Sequence, residues 1–448
     1  MQSKVRLGDY CSKIGSGSTP RGGSSVYLDK GEYSLFRSQN IYNNGFSTNG
    51  LVYITSEAAE KLKNVTIFED DILLNITGDS VARVCIAPSE FLPARVNQHV
   101  AIIRVNKKEF NSKFVRYYLS SSMMQKTMLS LASVGATRSA LTKSMIEDFE
   151  IPKPELTIQK KIAHILSTLD DKIELNRKMN QTLEEMAQAL FKSWFVDFDP
   201  AHARVTCKSE ADLEAAATKL GISKEVLELF PSEFVESEMG TIPFGWEAKE
   251  LGTLTNITSS KRIFSKEYVD SGIPFYRSKE IINLSKGDSI TDILYISEDR
   301  FSEIKEKFAV PKAQDILITS VGTIGRIYLV PDDSSFYFKD GNLTWINDYK
   351  NISPVFIYYF LKSASAQRQI DSVLIGSTQK ALTIVNINRL SVMMASKDVL
   401  DEFTIQAESI FAKISKNTEQ TRILEKTRDT LLPKLLSGEL DISNLELN

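Results

Sequence analysis

The sequence predicts an α+β protein: two pseudo-symmetric α/β domains separated by two long helices that form an antiparallel coiled coil. Three observations lead there. Five motifs recur in one order in both halves of the 448 residues, at separations of 240 to 247 positions. Ahead of the last motif, each copy mixes strand and helix patterns. From the last motif onward, each copy carries apolar residues at alternating steps of three and four.

Each copy opens on Leu-Gly (7–8 and 251–252) and continues into a polar loop, GSGSTPRGGSS (15–25) or TSSKRIFSK (258–266). FRSQNI (36–41) answers YRSKEI (276–281), and DILLNITGDSVARVCIAP (71–88) answers DILITSVGTIGRIYLVP (315–331). FVRYYLSSS (114–122) then answers FIYYFLKSA (356–364), and GATRSALT (135–142) answers GSTQKALT (376–383). LTIQKKIAHIL (156–166) finally answers FTIQAESIF (403–411). Order is kept while spacing drifts, the pattern of a duplication with insertions in loops.

DILLNI and RVCIAP alternate or run apolar over strand-like lengths. Gly78 and Gly322 stand between such strands and predict tight turns. Residues 112–133 and 353–373 each read as one helix, with a serine before the apolar run as N-cap.

The heptad pattern starts at Ile158 in the first copy and at Phe403 in the second. Its core is read as Ile162, Ile165, Leu169, Met179, Leu183 and Leu190, and as Ile410, Ile414, Leu424, Leu431 and Leu435. Lys172 and Asn176 in one helix, and Asn417 and Thr421 in the other, interrupt the core with polarity. Such positions cost stability and fix register. A narrow stripe needs a partner. The other helix is the simplest one, and the alternative is that each helix packs on its own domain. A two-fold relation between the copies makes the pair antiparallel. The resulting partition is 1–154 and 243–398 for the domains, 155–196 and 399–440 for the helices, 197–242 for a connector and 441–448 for a tail. The connector is read as helical over 209–220 and 223–230.

The formal net charge is −3. Acids over 153–192 and 396–448 offset basic patches elsewhere, so the total excludes little. No run of eighteen apolar residues predicts a membrane span, and MQSKVRLGDY lacks the apolar core of a secretory signal. Three scattered cysteines, Cys11, Cys85 and Cys207, suit a reducing cytoplasm. There is no GxxxxGK[ST] phosphate loop, HExxH, GxSxG, or Asn/Asp-Pro-Pro-aromatic string. A non-catalytic chain without a cofactor of its own is expected.

Three stretches carry a family resemblance. TLLPKLLSGEL (430–440), IAHILSTLDDKIELNRKMNQTLEEMAQALFKSWFVDFDP (162–200) and GTIPFGWEAKELG (240–252) resemble the specificity subunits of type I restriction-modification systems. The resemblance implies two target-recognition domains, each reading half of a split site in double-stranded DNA. It also implies docking of two modification subunits, which carry S-adenosylmethionine-dependent adenine methylation, and of restriction subunits that translocate and cut DNA. The competing reading is a coiled-coil assembly scaffold whose globular ends bind other proteins.

DNA binding needs Lys and Arg at phosphates, and Arg, Lys, Asn, Gln, Ser or Thr at base edges. Polar loops at matched places nominate Thr19, Arg21, Arg37, Ser38, Gln39, Asn40, Thr137 and Arg138 in the first copy. In the second they nominate Lys261, Arg262, Arg277, Ser278, Lys279, Thr378, Gln379 and Lys380. Arg37 and Arg277 recur where the two copies should read different sequences, which suits the frame or a phosphate. Gln39-Asn40 against Lys279-Glu280, and Arg138 against Gln379, vary inside a fixed frame, which suits discrimination.

Overall fold

Each copy is built on a four-stranded antiparallel sheet in a computed structural model that describes residues 4–20, 22–133, 140–237, 240–288, 290, 292–376 and 380–446. In the first copy the strand order is Cys11–Ser16, Val100–Val105, Ile72–Asn75, Val84–Ile86. In the second it is Asn256–Thr258, Leu343–Asn347, Ile316–Thr319, Ile327–Leu329. A smaller sheet also recurs. Tyr33–Phe36 lies antiparallel to Val52–Ile54 and parallel to Ala94–Val96. Ile273–Tyr276 lies antiparallel to Leu294–Ile296 and parallel to Tyr337–Phe338. A terminal strand pair closes each copy, Lys4–Arg6 with Glu150–Pro152 and Glu247–Glu250 with Ser391–Met394. The duplication is therefore one of topology as well as sequence.

The central strands are apolar without alternation because both sheet faces are covered. Ile72 and Leu74 enter one core with Phe114 and Val115, while Leu73 enters another with Leu35 and Phe36. In the second copy Ile316 and Ile318 pack with Phe356 while Leu317 packs with Phe338. The Asp that opens each DIL run has a local cause. The Asp71 carboxylate accepts the Phe68 N–H at 2.8 Å, and the Asp315 carboxylate accepts the Lys312 N–H at 3.0 Å. Gly78 and Gly322 take φ of +75° and +79°, where a side chain is strained.

The two helices expected over 112–133 and 353–373 are each broken. Ser112–Ser120 is followed by Ser122–Ser133, and Pro354–Lys362 by Ala364–Ser372. Ser121 and Ser363 sit at the breaks with extended ψ of 147° and 148°. The Ser363 hydroxyl accepts the Ala366 N–H at 3.1 Å, and Ser121 accepts that of Met124 at 3.3 Å. A serine that caps a new helix start offers the backbone an alternative to continuing.

The long helices are Leu156–Phe195 and Lys397–Ser437. The chain divides into two units, Met1–Glu174 with Ile423–Asn448, and Leu175–Arg422. In the first unit Ile162, Ala163 and Leu166 share a core with Leu432, Leu435 and Leu436. The Asp170 carboxylate there accepts from Arg428 at 2.9 Å, Arg116 at 3.2 Å and the Tyr117 hydroxyl at 2.6 Å. In the second unit Asn176 donates to Gln420 at 3.0 Å and Thr421 at 3.4 Å, while Asn417 donates to Asn180 at 2.9 Å. Phe191, Trp194 and Phe195 meet the Phe403 ring edge to face. Numbers rise on one helix as they fall on the other, so the pairing is antiparallel within each unit. Each helix also packs on domain elements, so the two alternatives for its partner coexist.

The depth pattern of the central helix differs from the heptad reading. Gln159, Leu166, Ile173, Ala187 and Trp194 are buried at steps of seven or multiples of it, with Asn180 half-buried in the same series. Ile165 and Met179, assigned to the core, are half-buried one position away, as are Lys172 and Ile158, and Met186 is 56% exposed. The cause is polar occupancy. Gln159 is fully buried and donates to the carbonyls of Glu109 and Pro154. A seam that starts at apolar Ile158 and not at Gln159 therefore runs one place out of phase along half of its positions. Of the other assigned positions, Ile162 and Leu435 are buried, and Leu169, Leu183, Leu190, Ile410, Ile414, Leu424 and Leu431 are half-buried.

The connector folds into Asp199–Thr206, Glu210–Leu220 and Lys224–Glu228. Ser209 and Asp212 form a capping box at the second helix, and Gly221 ends it at φ +69°.

Candidate nucleic-acid interface

Strand direction gathers the polar loops at one end of each four-stranded sheet. Cys11–Ser16 and Ile72–Asn75 end there, and Val84–Ile86 and Val100–Val105 begin there, with Ala101 opposite Ser16 and Val100 opposite Asn75. Loops 17–20, 76–83 and 97–99 therefore share that edge. A bridge between Thr77 and Ala140 brings the end of GATRSALT to it. In the second domain the same register places loops 259–264, 320–326 and 339–342 together, and Val321 bridges Ala381.

Arg37 and Arg277 open a short helical turn in each domain, Ser38–Asn40 and Ser278–Leu284. Asn40 and Glu280, both fully buried, cap those turns: Asn40 accepts the Arg37 N–H at 3.0 Å and Glu280 accepts that of Arg277 at 2.8 Å. The Asn40 amide donates to the Ser47 and Asn49 carbonyls. Asn40 is thus a buried frame residue, not a surface donor for DNA, and Glu280 is its counterpart. Arg277 grips Glu280 with Nε at 3.1 Å and a terminal nitrogen at 2.7 Å, and that carboxylate raises the Arg277 pKa. Arg37 reaches the Gly50 carbonyl, and Gln39 donates to it at 3.3 Å. The recurring Arg-Ser string is built into the domain as a cap.

The other nominated residues fall as follows. Thr19, Gln39, Lys261, Arg262, Lys279 and Lys380 are exposed; Arg37, Ser38, Arg277 and Ser278 are half-buried. Lys261 rests 4.2 Å above the Phe308 ring. Arg21, Thr137, Arg138, Thr378 and Gln379 lie outside the described residues. Residues not nominated complete the edge. His99 Nδ1 lies 2.5 Å from the Thr77 hydroxyl, its Nε2 lies 3.1 Å from the Gln98 amide, and Gln98 also meets Thr19. In the second domain Arg262 Nε donates to Asp340 at 2.8 Å. No local sequence signal marks them: strand register brings VNQHV and DGNLT to this edge.

The first loop is tied down in both domains. A Cβ on Gly17 would come within 1.7 Å of the Val96 carbonyl oxygen, so only glycine fits. At the matching place the Ser260 hydroxyl donates to the Phe338 carbonyl at 2.7 Å. Among the described residues no helix is long and apolar enough to cross a membrane, and no group of three His, Cys, Asp or Glu is placed to hold a metal.

The family model for the type I restriction modification DNA specificity domain matches twice, at residues 2–185 and 243–430. The type I restriction enzyme HindI specificity subunit of Haemophilus influenzae is 30% identical over 67% of this chain and 71% of its own length. The MjaIX specificity subunit of Methanocaldococcus jannaschii is 29% identical over 87% of this chain and 82% of its own. The crystal structure of a type I restriction-modification S subunit from M. genitalium has a similar fold, with a TM-score of 0.54 at 19% identity over 97% of this chain and 96% of that one. The duplicated domains, the antiparallel helices and these matches lead to one assignment: the chain belongs to the specificity-subunit family of type I restriction-modification systems.

Proposed function

We propose that this chain is the sequence-reading subunit of a type I restriction-modification complex. Each domain reads one half of a bipartite DNA site in the cytoplasm. The chain performs no chemistry. Methyl transfer from S-adenosylmethionine belongs to two modification subunits docked on it, and translocation and cutting belong to restriction subunits. The observation that carries this reading is the repetition of one loop-bearing sheet edge in two domains whose exposed loop residues differ. One frame filled twice with different donors and acceptors suits two half-sites of different sequence.

The test is co-expression with the modification subunit, followed by sequencing of methylated bases in the host genome. The expected motif has two defined blocks separated by a fixed number of unspecified bases. Replacing residues 243–398 with the corresponding domain of a relative should change one block and leave the other. A motif in one continuous block, or a replacement that alters both blocks, would overturn the proposal.

A further inference from the structure

We propose that Gln98 in the first domain and Arg262 in the second are base-reading side chains, Gln98 for an adenine and Arg262 for a guanine. This rests on the reading of the chain as a DNA-recognition subunit, and it names the residues that reading leaves open.

The two residues belong to the same pair of loops. Ile14 lies opposite Ile103, and Ile257 lies opposite Ile346. Five residues beyond those isoleucines stand Thr19 and Arg262. Val100 faces Asn75 and Leu343 faces Thr319. Before those two stand Asn97-Gln98-His99 and Asp340-Gly341-Asn342. Thr19 with Gln98, and Arg262 with Asp340, therefore clasp equivalent loops.

The clasps differ in chemistry. The Gln98 carboxamide oxygen accepts from Thr19, and its nitrogen donates to His99 Nε2 at 3.1 Å. An acceptor Nε2 requires the proton on Nδ1, which faces the Thr77 hydroxyl at 2.5 Å. The exposed Gln98 amide is thus held in one orientation, with one N–H and one oxygen lone pair left over among the described residues. That donor and acceptor match adenine N7 and the N6 amino group in the major groove. At the equivalent place in the second domain Gly341 has φ +74° and open space around it, so no side chain reads there. Arg262 takes over. Its Nε is spent on Asp340 while the side chain stays 68% exposed, presenting the rest of the guanidinium fork. A fork aimed this way is suited to O6 and N7 of guanine. The clasps are not needed to hold the loops, because Gly17 and Ser260 already pin them against the second sheet.

The experiment uses the complex with modification subunits and a library of sites randomised in both halves, scored by methylation. Gln98→Ala should relax one adenine position in one half-site by roughly 10- to 100-fold and leave the other half unchanged. Gln98→Glu should move that position toward cytosine, whose amino group a carboxylate accepts. His99→Ala, a positioning change, should relax the same position and add nothing to Gln98→Ala. Arg262→Ala should relax one guanine in the other half. Unchanged base preference in the Gln98 or Arg262 variants would overturn the inference. So would a uniform loss across all sequences with a salt slope lower by about one, the mark of a phosphate contact. A wild-type complex without a two-block motif overturns the functional reading itself, a result the wild-type control reports separately.

Discussion

Asn40 in the first domain and Glu280 in the second occupy one place in the frame, the third residue of the turn after Arg-Ser. Both are fully buried and both accept the N–H of their arginine. One is neutral and the other ionisable. At Asp71 and Asp315 the acceptor is the same and the contrast moves to the donor. Each caps its own turn, but Asp71 receives Arg104 at 2.6 and 2.7 Å while Asp315 receives the Trp345 indole N–H at 2.9 Å. The domains retain the position of a hydrogen-bond acceptor and let its charge, or that of its donor, vary. What the duplication preserves is geometry.

The largest expected difference between the halves lies where the long helices meet their domains. Phe403 is fully buried among five aromatic rings of the second unit, and its counterpart Leu156 is half-buried. Phe403→Ala should cost about 4 kcal/mol and Leu156→Ala about 1 kcal/mol in urea unfolding. Equal costs would mean that the two helix junctions are energetically alike.

Next come the two aspartates. Asp71→Asn should cost about 2 kcal/mol because Arg104 loses a charged partner. Burial raises the Asp315 carboxyl above its ordinary value, so the charge there is opposed by its surroundings. Asp315→Asn should change thermal stability at neutral pH by no more than about 0.5 kcal/mol, since an amide oxygen still accepts both N–H groups.

Acid should separate the caps. Burial pushes the Glu280 carboxyl up, but the Arg277 side chain and backbone N–H groups outweigh it and hold the value below the ordinary 4.5. A lowered folded value means that the stabilisation is present above the unfolded value and lost as pH falls through the folded one. Asn40 does not titrate. Protection of the 278–284 amides against hydrogen exchange, taken relative to the unfolded-chain rate at each pH, should therefore fall on acidification below pH 4.5 more than over 38–40, and Glu280→Gln should abolish the difference. The smallest effect tests likeness. Gly78→Ala and Gly322→Ala should each cost about 1 kcal/mol, because both have positive φ and open surroundings. Unequal values would show that the turns are not equivalent.

Much of this plan was legible in the sequence. The repeat, the central strands and the long helices all follow from apolar patterning, and the seam of the C-terminal helix was read in phase through buried Phe403, Ala407, Asn417 and Thr421. Legibility failed where polar atoms do structural work. Gln159 and Asn180 sit in the seam of the central helix and displaced its reading by one residue. Ser121 and Ser363 break helices that periodicity alone would continue. Asn40 looks like a surface amide until its cap is seen. Gln98 and Asp340 are brought to Thr19 and Arg262 by strand register, which no local pattern reveals.

The pairing of Arg262 with Asp340 across two loops has an evolutionary corollary. A lineage that replaces Arg262 alone leaves the largely buried Asp340 carboxylate without its partner, so a new specificity there is reached most easily by compensated double changes at positions 262 and 340. In the first domain the neutral partners Thr19 and Gln98 impose no such toll, and that half of the recognition sequence is free to diversify by single steps.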